Sequence, residues 1–121
     1  MKRYMSGNLV KYKGQVHKVH TSTGGYVTLD DVFINLEDGE IEDIPLSDEF
    51  FINNDYKFNS KSELFIANDG FGPAIKKNEL DYFCSDKVEY SVAGIVIRTV
   101  DEFQNLMNVI HCERIADKIT V

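Results

Sequence analysis

The sequence predicts an α+β fold that is mainly β: a small antiparallel barrel or curved sheet with one short helix and a C-terminal amphipathic helix. Three observations support this prediction. Short β-prone runs separated by turn-forming residues fill the first third of the chain. Ser47 is followed by two acidic residues, a pattern that is typical of a helix start. After Asp101, apolar residues recur at the spacing of an amphipathic helix.

The composition is that of an acidic globular protein. The chain has 121 residues, of which 43% are hydrophobic, and this is sufficient for one domain with its own core. The chain contains 13 Lys and Arg residues and 20 Asp and Glu residues, so its net charge is −7. Because such a molecule repels phosphate backbones and anionic lipids, we expect no bulk nucleic-acid binding and no membrane association.

The expected location is the cytoplasm. Residues 1–7 carry two cations but no apolar segment follows them, and no apolar run approaches the roughly 18 residues of a membrane span. The two cysteines, Cys84 and Cys112, are too few for the disulfide framework of a small secreted domain. We therefore expect free thiols in a reducing compartment.

The N-terminal part reads as a series of strands. Residues 9–20 predict two strands joined by a tight turn at Gly14, and residues 26–29 predict a third. In residues 32–36, apolar and polar side chains alternate, which predicts a half-buried strand. Its apolar face consists of Val32, Ile34 and Leu36.

An Asp-Gly pair follows this strand. Asp38 and Gly39 predict a type I′ hairpin, because both central residues of that turn need a positive φ. Residues 41–44 are the predicted return strand, and Pro45 ends it. A short helix capped by Ser47 is then expected to end by residue 54.

The second half predicts further strands and one longer helix. The strands are expected at residues 56–58, 64–67, 80–84 and 88–100, with a bulge or kink at Gly94 in the last. Asp101 is the predicted N-cap of a helix over residues 101–111. Its apolar stripe, expected to face inward, consists of Phe103, Leu106, Met107 and Ile110, with Phe103, Leu106 and Ile110 as the predicted core residues. Residues 118–121 are expected to add an edge strand.

The charges are divided along the chain. No acidic residue precedes Asp30, and no Lys or Arg occurs between Lys18 and Lys57. Three interpretations of the acidic stretch remain open: a solubilising surface, an acidic face for a basic partner or a divalent cation, and a DNA-mimicking surface. We expect the basic and acidic hairpins to face apart, which would allow weak head-to-tail self-association.

A partner surface is predicted from aromatic and acidic residues. The aromatic candidates could line the open side of a small barrel, as in peptide-binding SH3-like modules, or pack in its core. The acidic candidates lie in the second hairpin. Together they are Tyr12, Tyr26, Phe33, Glu40, Glu42 and Asp43.

No motif for catalysis or metal binding is present. His17 and His20 are separated by an odd interval on one predicted strand and so point to opposite faces. Cys84, His111 and Cys112 lack the usual ligand spacing, and neither cysteine begins a predicted helix. We therefore expect no metal, no cofactor, no catalytic residue and no enzymatic activity.

Both ends of the chain resemble a known family. Residues 7–19, with the Gly-Asn-Leu-Val-Lys-Tyr-Lys-Gly run, and residues 44–50 are similar to the opening of uncharacterised small proteins encoded by Bacteroidetes phages and mobile elements. Residues 97–107 resemble the end of those proteins in Val100 and the Gln-Asn-Leu triplet from Gln104. The resemblance implies an SH3-like N-terminal barrel and a compact accessory protein, and it implies no activity.

The sequence thus predicts a single domain, residues 1–121, with an SH3-like part at 7–46 and a sheet plus C-terminal helix at 56–121. The expected function is that of a cytoplasmic protein-binding module with a protein partner. The alternative is a nucleic-acid-associated accessory factor that uses the basic first hairpin, with Lys11, Lys13 and Lys18.

Overall fold

The computed structural model describes residues 3–30, 32–70, 72–79, 88–110 and 112–121. The chain divides into two compact units, Met1–Pro45 with Thr99–Asp117 and Leu46–Arg98 with Lys118–Val121. Each unit contains one five-stranded antiparallel sheet. The fold is mainly β with few helices, which confirms the predicted fold class.

The first unit is built on a curled sheet. Its strands are β1 (Leu9–Tyr12), β2 (Gln15–Thr23), β3 (Tyr26–Leu29), β4 (Val32–Asn35) and β5 (Ile41–Glu42). Their spatial order is β4-β3-β2-β1-β5, so β1 pairs with both β2 and β5. A register shift in β2 between Val19 and Thr21 marks a bulge, which increases the local bend of a strand. The sheet thereby curls into a half-barrel.

The turn between β1 and β2 is the predicted one. Lys13 and Gly14 both have positive φ, 51° and 78°, as a two-residue type I′ turn requires. The register of the pair, with Tyr12 opposite Gln15, leaves just these two residues in the turn.

The predicted hairpin at Asp38 and Gly39 is wrong. Residues Leu36–Asp38 form a 3₁₀ helix, and the side chain of Asn35 caps it by accepting a hydrogen bond from the Glu37 backbone N–H. Gly39 has φ 68°, whereas Asp38 does not have the positive φ that a type I′ turn needs. The 3₁₀ helix carries the chain away from β4, and β5 pairs with β1 instead.

The core of the first unit lies on the concave face of the sheet. Its buried members are Tyr4, Val10, Val19, Val27, Leu29 and Ile34. Of the predicted apolar face of β4, Ile34 is buried and Leu36 is half-buried in the 3₁₀ helix, but Val32 is 49% exposed. The alternation therefore predicted the strand correctly and the burial of Val32 incorrectly.

Three α-helices occur in the described residues: α1 (Asp48–Asn53), α2 (Val100–Val109) and α3 (Glu113–Asp117). α2 begins earlier than predicted, with Thr99 rather than Asp101 at its N-cap. A bridge between Pro45 and Thr99 and a hydrogen bond from Val100 N–H to the Ile44 carbonyl hold the chain extended up to that point. Asp101 consequently lies inside the first turn and is buried.

The buried face of α2 agrees with the predicted stripe at Phe103 and Met107 only. The buried residues Val100, Phe103, Gln104 and Met107 follow an i, i+3, i+4, i+7 pattern. Leu106 is half-buried and Ile110 is exposed. Gln104 occupies a core position because its amide bonds the backbone, accepting from Leu9 N–H at 2.9 Å and donating to the Gly7 carbonyl at 3.1 Å.

The second unit has a sheet in the order β10-β9-β8-β7-β6. Its strands are β6 (Tyr56–Asn59), β7 (Leu64–Ala67), β8 (Ile75–Glu79), β9 (Val88–Val92) and β10 (Ile95–Ile97). Ser47 caps α1 as predicted, accepting from the Phe50 backbone N–H at 3.1 Å. Fully buried Phe51 then lies at the centre of an aromatic cluster, with its ring centroid 5.2 Å from that of Phe65 and 5.0 Å from that of Tyr90.

Two predictions in the second unit are corrected, and one lies outside the described residues. Ala93 and Gly94 both have positive φ, 50° and 84°, so the long run is a hairpin with a two-residue turn rather than one kinked strand. Residues 118–121 form no strand; instead Thr120 exchanges hydrogen bonds with the side chain of Asn54. The predicted strand at 80–84 falls on residues that the structure does not describe.

Candidate interaction surface

β4 is an edge strand of the curled sheet. In the described residues it pairs with β3 alone. We call its free side, over Val32–Asn35, the β4 edge.

The backbone of Phe33 and Asn35 faces this open side. The hydrogen bond from Leu36 N–H to the Gly25 carbonyl, 2.8 Å, makes those two opposed residues a hydrogen-bonded pair. Hydrogen-bonded and non-hydrogen-bonded pairs alternate along an antiparallel ladder. In this register, the Asn35–Tyr26 pair is next to the Leu36–Gly25 pair, and the Phe33–Thr28 pair is the third pair from it. Both are therefore non-hydrogen-bonded pairs. The N–H and C=O of Phe33 and the N–H of Asn35 therefore point away from β3, whereas the C=O of Asn35 accepts the first bond of the 3₁₀ helix.

Apolar side chains accompany this open backbone. Phe33 is 77% exposed and Val32 is 49% exposed. Neighbouring residues of a strand point to opposite faces of the sheet, so a strand added at the β4 edge would find an apolar neighbour on each face. A large exposed aromatic beside free strand hydrogen-bonding groups is a feature of sheets that accept an additional strand.

The aromatic candidates divide between the two faces of the sheet. Cross-strand pairing puts Tyr26 and Phe33 on the convex face, because Thr28 is opposite Phe33 and shares its face with Tyr26. Tyr12 is half-buried and packs against the core on the concave face. The structure therefore brings Tyr26 and Phe33 together and leaves Tyr12 apart from them.

The acidic candidates lie beside β1. Glu42 is the cross-strand partner of Lys11, and Glu40 is exposed just before β5. Asp43 accepts a hydrogen bond of 2.5 Å from the hydroxyl of Tyr4. Burial first, and then this hydrogen bond and the negative charge of Asp43, raise the pKa of Tyr4 well above its usual value.

The basic first hairpin and the acidic strand β5 are therefore neighbours rather than being turned apart. The pairing of β1 with β5 sets Lys11 directly opposite Glu42, a favourable cross-strand combination. Lys13 places its ammonium 5.3 Å from the centre of the Tyr12 ring. The expectation that the basic and acidic hairpins face apart is therefore wrong for these strands. The sequence contains no signal that predicts the pairing of β1 with β5.

Carboxylates precede and follow β4 in the chain, but that of Asp30 lies against His17 on β2, away from the β4 edge. Asp30 precedes the strand, with its side chain 84% exposed and 3.5 Å from His17 Nδ1. Exposed Glu37 and Asp38 follow it in the 3₁₀ helix. The sequence contains no Lys or Arg between positions 18 and 57, so none of the residues that form β3 or β4 is basic.

A separate polar cluster lies in the second unit. The carboxylate of Asp48 accepts hydrogen bonds of 2.6 Å from Lys77 Nζ and from the Tyr90 hydroxyl. Burial and the Asp48 carboxylate raise the pKa of Tyr90. Lys77 also borders a shallow pocket of about 440 Å³, which Phe58, Ser60, Glu63 and Asn78 line with it. Asp48 neutralises Lys77, and its hydrogen bonds to Lys77 and Tyr90 tie α1 to β8 and β9.

The structure describes no group of three or more metal-ligating side chains in the ranges that it covers. Cys112 is a half-buried free thiol, whereas Cys84 and His111 lie outside the described residues. His17 is half-buried beside Asp30, and His20 is exposed.

Comparisons of the chain with protein-family profiles, curated proteins and solved structures return no match. The resemblance to proteins of phages and mobile elements stays a prediction. No helix in the described residues is long and apolar enough to cross a membrane.

Proposed function

We propose that this protein is a protein-binding module that takes up an extended segment of its partner as an additional strand at the β4 edge. The observation that carries the proposal is the combination at Phe33: a free backbone N–H and C=O facing outward, and a side chain that is 77% exposed. Binding by strand addition obtains its affinity from backbone hydrogen bonds and its specificity from alternate side chains.

The geometry favours this function over nucleic-acid binding. A phosphate-binding surface needs several cations that are free of nearby carboxylates. In the basic hairpin, however, Lys11 has Glu42 directly opposite it on the neighbouring strand. The β4 edge has no such internal partner among the described strands.

The proposal is tested with peptides selected for binding from a library of extended random sequences. The selected peptide should protect the amide protons of Phe33 and Asn35 from hydrogen exchange, since these groups become paired. Phe33→Pro should abolish binding while the circular dichroism spectrum is retained, because proline is tolerated where the N–H of an edge strand faces solvent.

Two further variants separate backbone from side-chain effects. Phe33→Thr keeps the N–H and a β-prone residue, and it should weaken binding without abolishing it. Ile95→Thr, which alters a comparably exposed apolar residue of the other sheet, should leave binding unchanged. Failure to select any peptide, or full binding by Phe33→Pro, would refute strand addition at this edge.

A further inference from the structure

We infer that the second unit binds a small organic phosphate, such as a nucleoside diphosphate, on the face of its sheet opposite the aromatic cluster. The starting observation is a pocket of about 570 Å³ at the hairpin of β6 and β7, which Lys57, Lys61, Ile66 and Asn68 help to line. Its volume lies within the roughly 300–1,000 Å³ of small-molecule sites. The β4 edge belongs to the other unit, so this inference does not depend on strand addition.

The side chains of Lys57 and Ile66 share the face opposite the aromatic cluster. Tyr56 and Phe58 each contact a ring of that cluster, with centroid distances of 5.9 and 5.0 Å. Lys57 lies between them in β6 and therefore points to the other face. Ile66 is its cross-strand partner and points the same way.

Lys76 adds a third cation to this face. Its neighbour Ile75 is fully buried on the core side of β8, so Lys76 points to the opposite side. Leu64, the cross-strand partner of Lys76, lies two residues from Ile66 on β7 and on the same face. The apolar side chains of β7 thus have Lys57 on one side and Lys76 on the other. We call the lysines of the pocket and of this face the lysine cluster: Lys57, Lys61 and Lys76.

Among the described residues, no carboxylate forms a salt bridge with the lysine cluster. Glu63, which lies in the same turn as Lys61, lines another pocket together with Lys77. Glu89 of β9 is 3.7 Å from Arg98. The ammonium groups of the cluster are exposed and therefore available to an anion.

The charge of the molecule restricts the ligand to a small one. With a net charge of −7, the protein repels a long anionic polymer along most of its length. At physiological salt the Debye length is about 8 Å, so a small anion beside the lysine cluster is influenced mainly by these cations. Lysines bind phosphate as point charges, and several of them suit a group with more than one negative charge. Ile66, which is 40% exposed, provides an apolar contact for the organic part of the ligand.

The inference is tested by titrating the isotope-labelled protein with adenosine diphosphate, inorganic pyrophosphate or adenosine and following the amide signals by NMR. Adenosine diphosphate should shift the signals of residues 57–61 and 66–68 and leave those of β4 unchanged. We expect a dissociation constant of about 1 mM, and about tenfold weaker binding of pyrophosphate and of adenosine, because each has only one of the two parts. Between 50 and 500 mM salt, binding of adenosine diphosphate should weaken about tenfold, since the Debye length shortens to roughly 4 Å.

Variants of the protein provide the second arm. Lys57→Gln combined with Lys61→Gln should weaken binding of adenosine diphosphate about tenfold or more. Lys13→Gln, the same change at an exposed lysine in a turn of the other sheet, should leave it unchanged. Absence of shifts at residues 57–68, or full binding by the double variant, would overturn the site. Pyrophosphate that binds as tightly as adenosine diphosphate would overturn the inferred contact of the organic part with Ile66.

Discussion

Single polar side chains hold distant parts of each unit in place. In the second unit, partial burial alone would raise the pKa of Asp48, but the hydrogen bonds from Lys77 and Tyr90 and the charge of Lys77 lower it overall. A carboxyl group whose pKa is lower in the folded state contributes stability above its unfolded pKa, near 4. That contribution is lost as the pH falls through the folded value.

We expect Asp48→Asn to reduce stability at pH 7 by about 1 kcal/mol, since a half-exposed ion pair is screened by solvent. The difference between the two proteins should shrink as the pH falls below about 4. Urea denaturation at pH 7 and at pH 3 measures both values. A difference that is independent of pH would show that the charge of Asp48 has no part in it.

In the first unit, buried Gln104 has the corresponding role. Its amide satisfies the Leu9 N–H and the Gly7 carbonyl. Gln104→Ala should therefore cost about 2–4 kcal/mol, because two backbone groups lose their partner and a cavity forms. Val109→Ala, at a position that is 72% exposed on the same helix, should change stability by less than about 0.5 kcal/mol. Equal effects in thermal unfolding would contradict the bonding of Gln104.

At the scale of elements, the face that α2 buries decides which substitutions the helix tolerates. Met107 is fully buried, whereas Leu106, the predicted core residue, is half-buried. Met107→Ala should cost about 2–5 kcal/mol and Leu106→Ala distinctly less. Chemical denaturation of the two variants compares them directly. A larger loss of stability for Leu106→Ala would show that Leu106, rather than Met107, faces the core.

The pairing of β1 with β5 leads to a second prediction at this scale. Glu42→Lys places two ammonium groups opposite each other and should destabilise the protein by about 1 kcal/mol. The double variant Lys11→Glu with Glu42→Lys restores the opposite charges and should recover most of that loss. A double variant as unstable as the single one would show that charge pairing between the strands contributes nothing.

For the whole molecule, the net charge of −7 produces a long-range attraction for any partner segment that is positively charged. Steering of this kind acts mainly on the association rate. For a peptide that binds at the β4 edge and has lysines added at its ends, we expect the association rate to fall about tenfold between 50 and 500 mM salt and the dissociation rate to change less. Stopped-flow measurement separates the two rates. An unchanged association rate would exclude steering by the overall charge.

Local interactions were predictable from the sequence. The turn at Lys13 and Gly14 and the cap at Ser47 each involve residues within three or four positions of one another, so residue type and spacing are sufficient to predict them. The alternation in β4 likewise predicted the strand. The type I′ turn at Ala93 and Gly94 was missed because alanine rarely adopts a positive φ.

Long-range pairing could not be read from these patterns. β5 joins β1 because the 3₁₀ helix leads the chain away from β4, so among the described strands β4 pairs with β3 alone. A hydrophobic pattern assigns polar Gln104 to the exposed face of the helix, yet it is buried. Its hydrogen-bond partners Leu9 and Gly7 lie 95 and 97 residues away. A buried amide is stable only where such backbone groups converge on it, and their convergence is a property of the folded chain. The sequence therefore predicts the strands and the short helix, whereas the free edge and the buried face of α2 follow from which distant segments meet.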